Sequence, residues 1–180
     1  MIFIGGYTAS GKTTLAKMLS KDGYLSIDVK DVSGFIGMLS QSEYKLGSTI
    51  SENVLGDHEA TVNIIKSNHK KELHKDVVIS GLRNIESINL LVRLLSMNAE
   101  LKDLLNSMDI VYMETDIETL KQRFEDRNEN SKSTFEDSIK KDNLSGVKTI
   151  EANADISIDN NGSIEETYEK LVSKLKEAGQ

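Results

Sequence analysis

The sequence contains no cysteine, no proline and no tryptophan among its 180 residues. Without cysteine, the protein has neither a disulfide framework nor a thiolate metal site. Without proline, the ends of its helices must be set by glycine, asparagine, serine and aspartate. No apolar run approaches the roughly 20 residues of a membrane span, and we expect no signal peptide before the first predicted strand. We therefore expect a cytoplasmic protein without a membrane partner.

Arginine is also scarce, since only Arg83, Arg93, Arg123 and Arg127 are found among 22 basic residues. The 29 acidic residues bring the net charge to −7 at pH 7. Proteins that bind nucleic acid usually show a basic face, so this charge argues against nucleic acid as the main partner. A small anionic substrate stays compatible with it, because a local pocket can be positive inside an acidic protein. The length fits one domain, which we expect to act as a monomer or homodimer.

The first 14 residues carry the most specific motif of the chain. Residues 1–4 are typical of a short buried strand, and apolar side chains from Leu15 onward fall at helical spacing. Between them, the sequence GYTASGKT at 6–13 matches the phosphate-loop pattern G-x-x-x-x-G-K-[ST] at every required position. We call residues 6–13 the phosphate loop. A chance glycine-rich turn would not also supply the lysine, the hydroxyl and both flanking elements.

The residue types of the phosphate loop explain its chemistry. Glycine lets the backbone turn its N–H groups toward a phosphate, and the following helix adds the positive end of its dipole. Lys12 is expected to reach the β- and γ-phosphates of a nucleotide, and the Thr13 hydroxyl to hold Mg²⁺. The predicted cofactors are therefore ATP and Mg²⁺. The residues predicted to bind them here are Gly6, Tyr7, Thr8, Ala9, Ser10, Gly11, Lys12, Thr13 and Thr14.

The rest of the chain alternates between apolar runs and helical patterns. Strands are predicted at 24–27, 76–81, 108–113 and 154–158. Helices are predicted at 56–73, 84–95 with a possible extension to 105, 116–127, 134–143 and 163–178. Ile117, Leu120 and Phe124 are expected to point inward, and the charged run 125–133 to form a mobile loop. The alternation predicts an α/β fold, a three-layer sandwich of about five parallel strands with helices on both faces.

Ligands of open α/β sheets bind beyond the carboxyl ends of the strands. The residues that follow the predicted strands are Asp28 and Asp31, then Ser80, Gly81 and Arg83, then Glu114 and Asp116, and finally Asn160 and Asn161. The guanidinium of Arg83 is suited to a second phosphate. The alternative is a surface arginine paired with Glu86.

Arg123 and Arg127 lie four residues apart on one helix face, next to the predicted mobile loop. Arginines in that position can neutralise the charge of a phosphoryl group in transfer. The alternative is a solvated face on which Arg123 pairs with Asp126. Asp28 could activate an acceptor hydroxyl, bind Mg²⁺ through water, or cap the following helix. The predicted metal-binding residues are thus Thr13 and Asp28. The histidines 58, 69 and 74 share no ligand spacing, and we expect them to be solvated helix residues.

Four segments together resemble the nucleoside monophosphate kinase superfamily. They are the phosphate loop with its flanks, VVISGLRN at 77–84, QRFEDR at 122–127 and ADISIDNNGSIEETYEKL at 154–171. The likeness is closer to the dephospho-CoA-kinase-like and adenylate-kinase-related branch, and to small phage deoxynucleoside monophosphate kinases. The resemblance implies one P-loop kinase domain over residues 1–180, with a substrate-binding insertion at about 32–73 and a lid at about 123–146.

The resemblance also implies roles for individual residues. Arg83 corresponds to the arginine of the family's D-G-x-x-R segment that contacts the acceptor phosphate, although it lies one residue closer to the glycine. Arg123 and Arg127 correspond to lid arginines, and Asn160 and Asn161 lie where the family holds the adenine. Ser80 departs from the family, because many relatives have an aspartate there near the metal. Either Asp28 substitutes for it or metal affinity is weaker.

The expected activity is transfer of the γ-phosphoryl group of MgATP to a small phosphorylated acceptor, foremost a (deoxy)nucleoside monophosphate. The residues expected to be catalytic are Lys12, Asp28, Arg83, Arg123 and Arg127. One alternative is a kinase of a hydroxyl acceptor, either dephospho-CoA-like or a hydroxylated DNA base. Another is a nucleotide-binding regulatory protein with low turnover.

Overall fold

The computed structural model describes residues 1–29, 49–69, 76–127 and 134–177. The described residues form one five-stranded sheet in the order β2-β3-β1-β4-β5, and every neighbouring pair of strands is parallel. The strands are β1 (Ile2–Gly5), β2 (Tyr24–Asp28), β3 (Asp76–Ser80), β4 (Asp109–Glu114) and β5 (Ile156–Asp159). The predicted parallel sheet is confirmed, and its central strand is the one that carries the phosphate loop.

Helices cover both faces of this sheet. They are α1 (Lys12–Lys21), α2 (Thr49–His69), α3 (Ile85–Ser96), α4 (Ile117–Arg127), α5 (Phe135–Ser145), α6 (Val147–Glu151) and α7 (Ile164–Glu177), with a 3₁₀ turn at Lys102–Leu105. Alternate side chains of β1 point to opposite faces, as the pleat requires. Phe3 belongs to the core cluster under α2, α3 and α6, and Ile4 to the cluster under α1 and α7. The predicted three-layer sandwich is confirmed.

Several predicted boundaries differ from the structure. Helix α2 begins at Thr49, before the predicted start at Gly56, and α3 ends at Ser96, so its possible extension to 105 is wrong. Residues 125–127 form the last turn of α4 instead of a loop. The remainder of the predicted loop, 128–133, lies outside the described residues, as do residues 32–48 and 70–73 of the predicted insertion.

Two side chains differ from the prediction in their burial. Ile117 is 48% exposed, because it lies in the first turn of α4, whereas Leu120 and Phe124 are buried as expected. His58 was expected in solvent but is buried, and its Nε2 lies 2.9 Å from the Ser87 carbonyl oxygen at the start of α3. His69 is exposed as expected, and His74 lies outside the described residues.

The segment that follows β3 is fixed by helices α5 and α6. Asn84 caps α3, since its Oδ1 accepts from the Ser87 N–H at 2.8 Å. Its Nδ2 also donates to the Ser145 carbonyl at 3.0 Å, and the next N–H, of Ile85, donates to Thr149 Oγ1 at 2.9 Å. The polypeptide around Arg83 is therefore held by its own helix and by the C-terminal end of α5.

Asn84→Ala removes the cap of α3 and the hydrogen bond to the Ser145 carbonyl. We expect it to lower the free energy of unfolding by about 2 kcal/mol, about 1 from each. Asn84→Ser keeps a capping oxygen but not the amide donor, so it should lose about half as much. Urea unfolding followed by circular dichroism measures both variants. No loss in Asn84→Ser would show that the contact with Ser145 contributes nothing, and equal losses in the two variants would show that the cap contributes nothing.

Candidate functional site

The backbone of the phosphate loop takes conformations that side chains disfavour. Gly6 and Gly11 have φ angles of 144° and 86°, and Ala9, which is not glycine, has a φ of 67°. A positive φ in a residue with a Cβ costs about 1–2 kcal/mol, and such strain is typical of ligand-binding loops. Gly11 is also the N-cap of α1, so the loop leads directly into the positive end of a helix.

Lys12 lies against this loop. Its Nζ donates to the Tyr7 carbonyl oxygen at 2.6 Å and to Ser10 Oγ at 3.4 Å. The ammonium group is thus held beside the backbone amides that the motif directs at a phosphate. A cation and a helix N-terminus at one point make an anion site, as the sequence predicts.

Side chains from distant elements hold the loop from outside. Asn160, at the end of β5, donates from Nδ2 to the Ser10 carbonyl at 2.8 Å. From α5, Asp142 accepts the Thr8 N–H at 2.6 Å, and Asn143 accepts the Tyr7 hydroxyl at 2.7 Å. Burial, with the carboxylates of Glu151 and Asp142, raises the pKa of Tyr7, so its hydroxyl stays protonated and remains a donor.

Thr13 and Asp28, the two predicted metal-binding residues, are brought together by the sheet. Thr13 Oγ1 donates to Asp28 Oδ2 at 2.7 Å. Ser80 lies beside Asp28 in the register of β2 and β3, and its hydroxyl is buried without a hydrogen-bond partner among the described residues. A carboxylate, an aligned hydroxyl and an unsatisfied hydroxyl form an oxygen-only set of the kind that Mg²⁺ and its bound waters use.

The described residues contain no group of three or more histidine, cysteine, aspartate or glutamate side chains that could hold a metal ion by themselves. Mg²⁺ does not require one, because it is usually bound through one or two carboxylates together with substrate phosphates and water. Thr13 and Asp28 therefore fit Mg²⁺ that arrives with a nucleotide. Ser80 Oγ is placed to accept a hydrogen bond from a water bound to that ion, or to donate one to it.

Arg83 is paired, but with a different carboxylate from the one considered in the sequence. Its Nη1 donates to Asp142 Oδ1 at 3.1 Å, and the side chains of Arg83 and Asp142 are 33% and 4% exposed. The guanidinium has five N–H donors, of which this contact uses one. Glu86, the partner proposed from sequence proximity, makes no ion pair with Arg83 in the structure.

Arg123 and Arg127 line a cavity of about 440 Å³ beside the phosphate loop. The other lining residues are Ala9, Ser10, Gly11, Thr14 and the stretch from Gly162 to Glu165. Arg123 Nη2 donates to the Gly162 carbonyl at 2.7 Å, while Asp126 accepts from Gln122 instead of Arg123. The structure thus brings both predicted lid arginines to the phosphate loop.

Asn160 and Asn161 do not line this cavity. Asn160 is fully buried, and besides Ser10 its side chain contacts Thr115 and Thr167. The Asn161 side chain accepts from the Asp116 N–H and donates to Asp159. Both asparagines therefore shape the turn, and Gly162 and Ser163 are the residues of this turn that face the cavity.

A second cavity, of about 540 Å³, lies at the carboxyl end of β4 between α4, α5 and α6. Tyr7, Tyr112, Glu114, Asp116, Lys148 and Glu151 are among its lining residues. Burial, with Glu151 nearby, raises the pKa of Tyr112. Carboxylates outnumber the cations in this lining, so its charge favours an anion less than that of the first cavity, which two arginines line.

Asp142 is the site residue that the sequence analysis missed. Phe135, Ile139 and Asp142 recur at i, i+4 and i+7, which places Asp142 on the apolar face of α5. His58 shows the same pattern in α2, since it shares a face with Val62 and Ile65. A charged or ionisable side chain on an apolar helical stripe was the available signal, because such groups are rarely buried unless they have partners.

Ser80→Ala removes a buried hydroxyl that has no partner, so we expect the free energy of unfolding to rise by about 1 kcal/mol. The same variant should raise the Mg²⁺ concentration for half-maximal ATP turnover, by about tenfold if Ser80 orients the water of the ion. Urea unfolding and a Mg²⁺ titration of ADP release test the two effects. An unchanged titration would show that Ser80 is not part of the metal surroundings.

Comparison with known proteins identifies the family and the fold of the chain. Residues 2–143, most of the chain, match the family described as an AAA domain. A search of curated proteins found no match. None of the described helices is long and apolar enough to cross a membrane.

Similar solved structures extend over nearly the whole chain. Shikimate kinase from Aquifex aeolicus vf5 is 19% identical with a TM-score of 0.52, covering 98% of this chain and 96% of that one. A gluconokinase from Sinorhizobium meliloti 1021 is 11% identical with a TM-score of 0.55, covering 98% and 91%. Shikimate kinase from Bacteroides thetaiotaomicron is 18% identical with a TM-score of 0.51, covering 97% of both chains. At these identities the likeness shows the fold.

P-loop kinases of this type use ATP and Mg²⁺, which agrees with the phosphate loop and the oxygen ligands described above. The chain therefore belongs to the AAA-domain family of P-loop proteins, and its fold is that of P-loop kinases related to the nucleoside monophosphate kinases.

Proposed function

We propose that this protein transfers the γ-phosphoryl group of MgATP to a small acceptor that carries a phosphate, foremost a (deoxy)nucleoside monophosphate. The observation that carries the proposal is the position of Arg83 relative to the phosphate loop. The two follow the neighbouring parallel strands β3 and β1, and Asp142 contacts both of them. A donor phosphate on the loop and an acceptor phosphate on Arg83 would be neighbours, which is the main requirement for transfer between them.

The remaining residues supply charge and orientation. Lys12 and the loop amides hold the donor phosphates, and Thr13 with Asp28 holds the metal. Bound Mg²⁺ supplies positive charge to the phosphate oxygens. Arg123 and Arg127, in the cavity beside the loop, neutralise charge on the group in transfer. These roles follow the requirement of phosphoryl transfer for positioning and electrostatic stabilisation.

The lid that we propose includes α5 and the end of α4. Arg123 and Arg127 lie in the last two turns of α4, and Phe124 packs edge-on against Phe135 of α5, with ring centres 5.7 Å apart. The two helices therefore share an apolar contact next to the arginines. Movement of this pair over a bound nucleotide, with the C-terminal end of α5 remaining bonded to the phosphate loop, would exclude water from the phosphates.

Transfer to a hydroxyl group is the second candidate. Arg83 already has a carboxylate partner, so its positive charge is partly neutralised before any acceptor phosphate binds. Asp28 lies beside Thr13 and could accept a hydroxyl proton. Two of the similar structures are named shikimate kinases and one a gluconokinase, so this fold also serves acceptors other than nucleotides.

A coupled assay of ADP release separates these possibilities. The panel contains ribo- and deoxynucleoside monophosphates, dephospho-CoA, shikimate and gluconate, each with MgATP. We expect ADP release that depends on a nucleoside monophosphate. Turnover only with a hydroxyl acceptor would favour the second candidate. Tight ATP binding without acceptor-dependent turnover would favour a regulatory protein.

Lys12→Ala should lower the rate of transfer by about 10³-fold, since it removes a preorganised charge from the reacting phosphates. Folding should be unaffected, because Lys12 contacts the loop and not the core. Lys17→Ala on the exposed face of the same helix is the matched control. Steady-state kinetics and thermal unfolding are measured on both. More than a tenth of the wild-type rate in the Lys12 variant would remove the phosphate loop from the reaction.

Arg83→Lys keeps the charge but loses the planar fork, so the KM of the phosphorylated acceptor should rise about tenfold for each 1.4 kcal/mol lost. The affinity for MgADP, measured by calorimetry, should stay within about threefold, because Arg83 is not part of the phosphate loop. Arg93→Lys on the exposed side of α3 serves as the control. Equal weakening toward both ligands would indicate a structural role for Arg83.

A further inference from the structure

Asp142 is a buried carboxylate on α5, only 3% exposed, that binds two donors with its two oxygens. Oδ2 accepts the Thr8 N–H of the phosphate loop at 2.6 Å, and Oδ1 accepts Arg83 Nη1 at 3.1 Å. Burial of an ionised carboxylate is costly unless it is paired and hydrogen-bonded. Here both partners come from elements that we expect to handle phosphate.

The contacts next to Asp142 fix its position on both sides. The following residue, Asn143, accepts the Tyr7 hydroxyl of the phosphate loop at 2.7 Å. At the C-terminal end of the helix, the Ser145 carbonyl accepts from Asn84, the residue after Arg83. One end of α5 is therefore bonded to the phosphate loop and to the segment after β3, with Asp142 between these bonds.

The Asp142 contact restrains a long side chain that would otherwise move. An unpaired arginine loses rotamer freedom when a ligand orders it, and this loss lowers the affinity for the ligand. A guanidinium held through Nη1 has this cost reduced before the ligand arrives, and its other N–H groups remain as donors. A residue that only capped the phosphate loop would not need the second contact.

We propose that Asp142 is a positioning residue that orients the guanidinium of Arg83 for the acceptor phosphate and sets Arg83 in register with the phosphate loop through Thr8. This inference rests on the proposed function, because it assigns Asp142 a part in binding the acceptor. Asp142 acts through Arg83 and Thr8 and does not itself contact the reacting atoms. It also gives α5, next to the proposed lid arginines, a direct connection to the acceptor side of the site.

The kinetic test uses Asp142→Asn, which keeps the shape but replaces one acceptor oxygen with a donor amide that must face Thr8 or Arg83. We expect the amide to face Arg83, which makes the longer of the two contacts, so that the remaining oxygen still accepts from the Thr8 N–H. The acceptor KM should then rise about tenfold, while MgADP affinity changes less than about threefold. Arg83→Lys should add less than about twofold in the Asp142→Asn background, because the two residues act as one unit. Asp137→Asn, an exposed aspartate of the same helix, should have no effect. Independent, multiplying effects of Asp142→Asn and Arg83→Lys would overturn the proposal.

A second measurement does not depend on the acceptor. The chain has only four arginines, so the ¹⁵N Nε–H spectrum of the full chain contains four side-chain signals, and Arg83→Lys identifies one of them. In the wild type we expect the heteronuclear NOE of Arg83 to approach backbone values. In Asp142→Asn it should fall to that of exposed Arg93, and Asp142→Glu, which keeps the charge, should restore much of it.

The two measurements separate failure of this inference from failure of the proposed function. An ordered Arg83 signal in Asp142→Asn would overturn the positioning role whatever the acceptor is. Wild-type protein that transfers phosphate to no compound of the panel would overturn the proposed function, while the NMR comparison still decides whether Asp142 orients Arg83. If Asp142→Asn does not fold, a mobile Arg83 in folded Asp142→Glu together with an unchanged acceptor KM would equally overturn the proposal.

Discussion

The backbone geometry of the phosphate loop is the constraint on which the rest of this structure depends. A loop that directs amides inward cannot be stabilised by the regular ladder of a helix or strand, and Ala9 adds the cost of a positive φ. The structure compensates with side chains from elsewhere, namely Asn160 on the Ser10 carbonyl and Asp142 on the Thr8 N–H. Since both come from the last third of the chain, the donor site is complete only when the whole domain has folded.

The strand order explains how these distant parts reach the loop. With β1 in the centre, β3 lies on one side of it and β4 on the other. The β3 side carries Ser80 and Arg83 and adjoins Asp28 of β2, whereas the β4 side continues into α4 with the two cavity arginines. Helix α5 follows α4 in the chain, yet Asp142 contacts Arg83. Helix α5 therefore joins the two sides of the site. Arg83, which follows β3, is held by a helix that comes after α4 in the sequence.

Local features of the fold could be predicted from the sequence because local chemistry determines them. The last helix, predicted to begin at 163, starts with a capping box in which the Ser163 N–H donates to Glu166 at 3.0 Å and the Glu166 N–H donates to Ser163 at 3.1 Å. The buried strands and the phosphate loop carry equally local signals. The partner of Arg83 could not be predicted in this way, since Asp142 lies 59 residues away and Glu86 lies only three. The spacing of residues along the chain does not indicate which distant carboxylate lies next to Arg83 once α5 has packed.

The same limit applied to the turn at Asn160. A turn of two asparagines and a glycine after a strand suggested a ligand contact, but the buried Asn160 is occupied by Ser10, Thr115 and Thr167. Its amide supplies donors and an acceptor in a place where the backbone cannot, which is the more frequent use of a buried asparagine. These hydrogen bonds account for the burial of Asn160, and the predicted contact of this turn with a nucleotide stays a prediction.

The distribution of charge bears on the size of the acceptor. The chain carries a net charge of −7, while Lys12, Arg83, Arg123 and Arg127 face or adjoin the site with two carboxylates, Asp28 and Asp142, among them. At physiological ionic strength, charges beyond about 8 Å are largely screened, so a small phosphorylated molecule inside the site responds mainly to these local groups. A long polyanion would extend past them onto the rest of a chain that carries a net negative charge. This arrangement favours a free nucleotide over a nucleic acid as the acceptor that we propose.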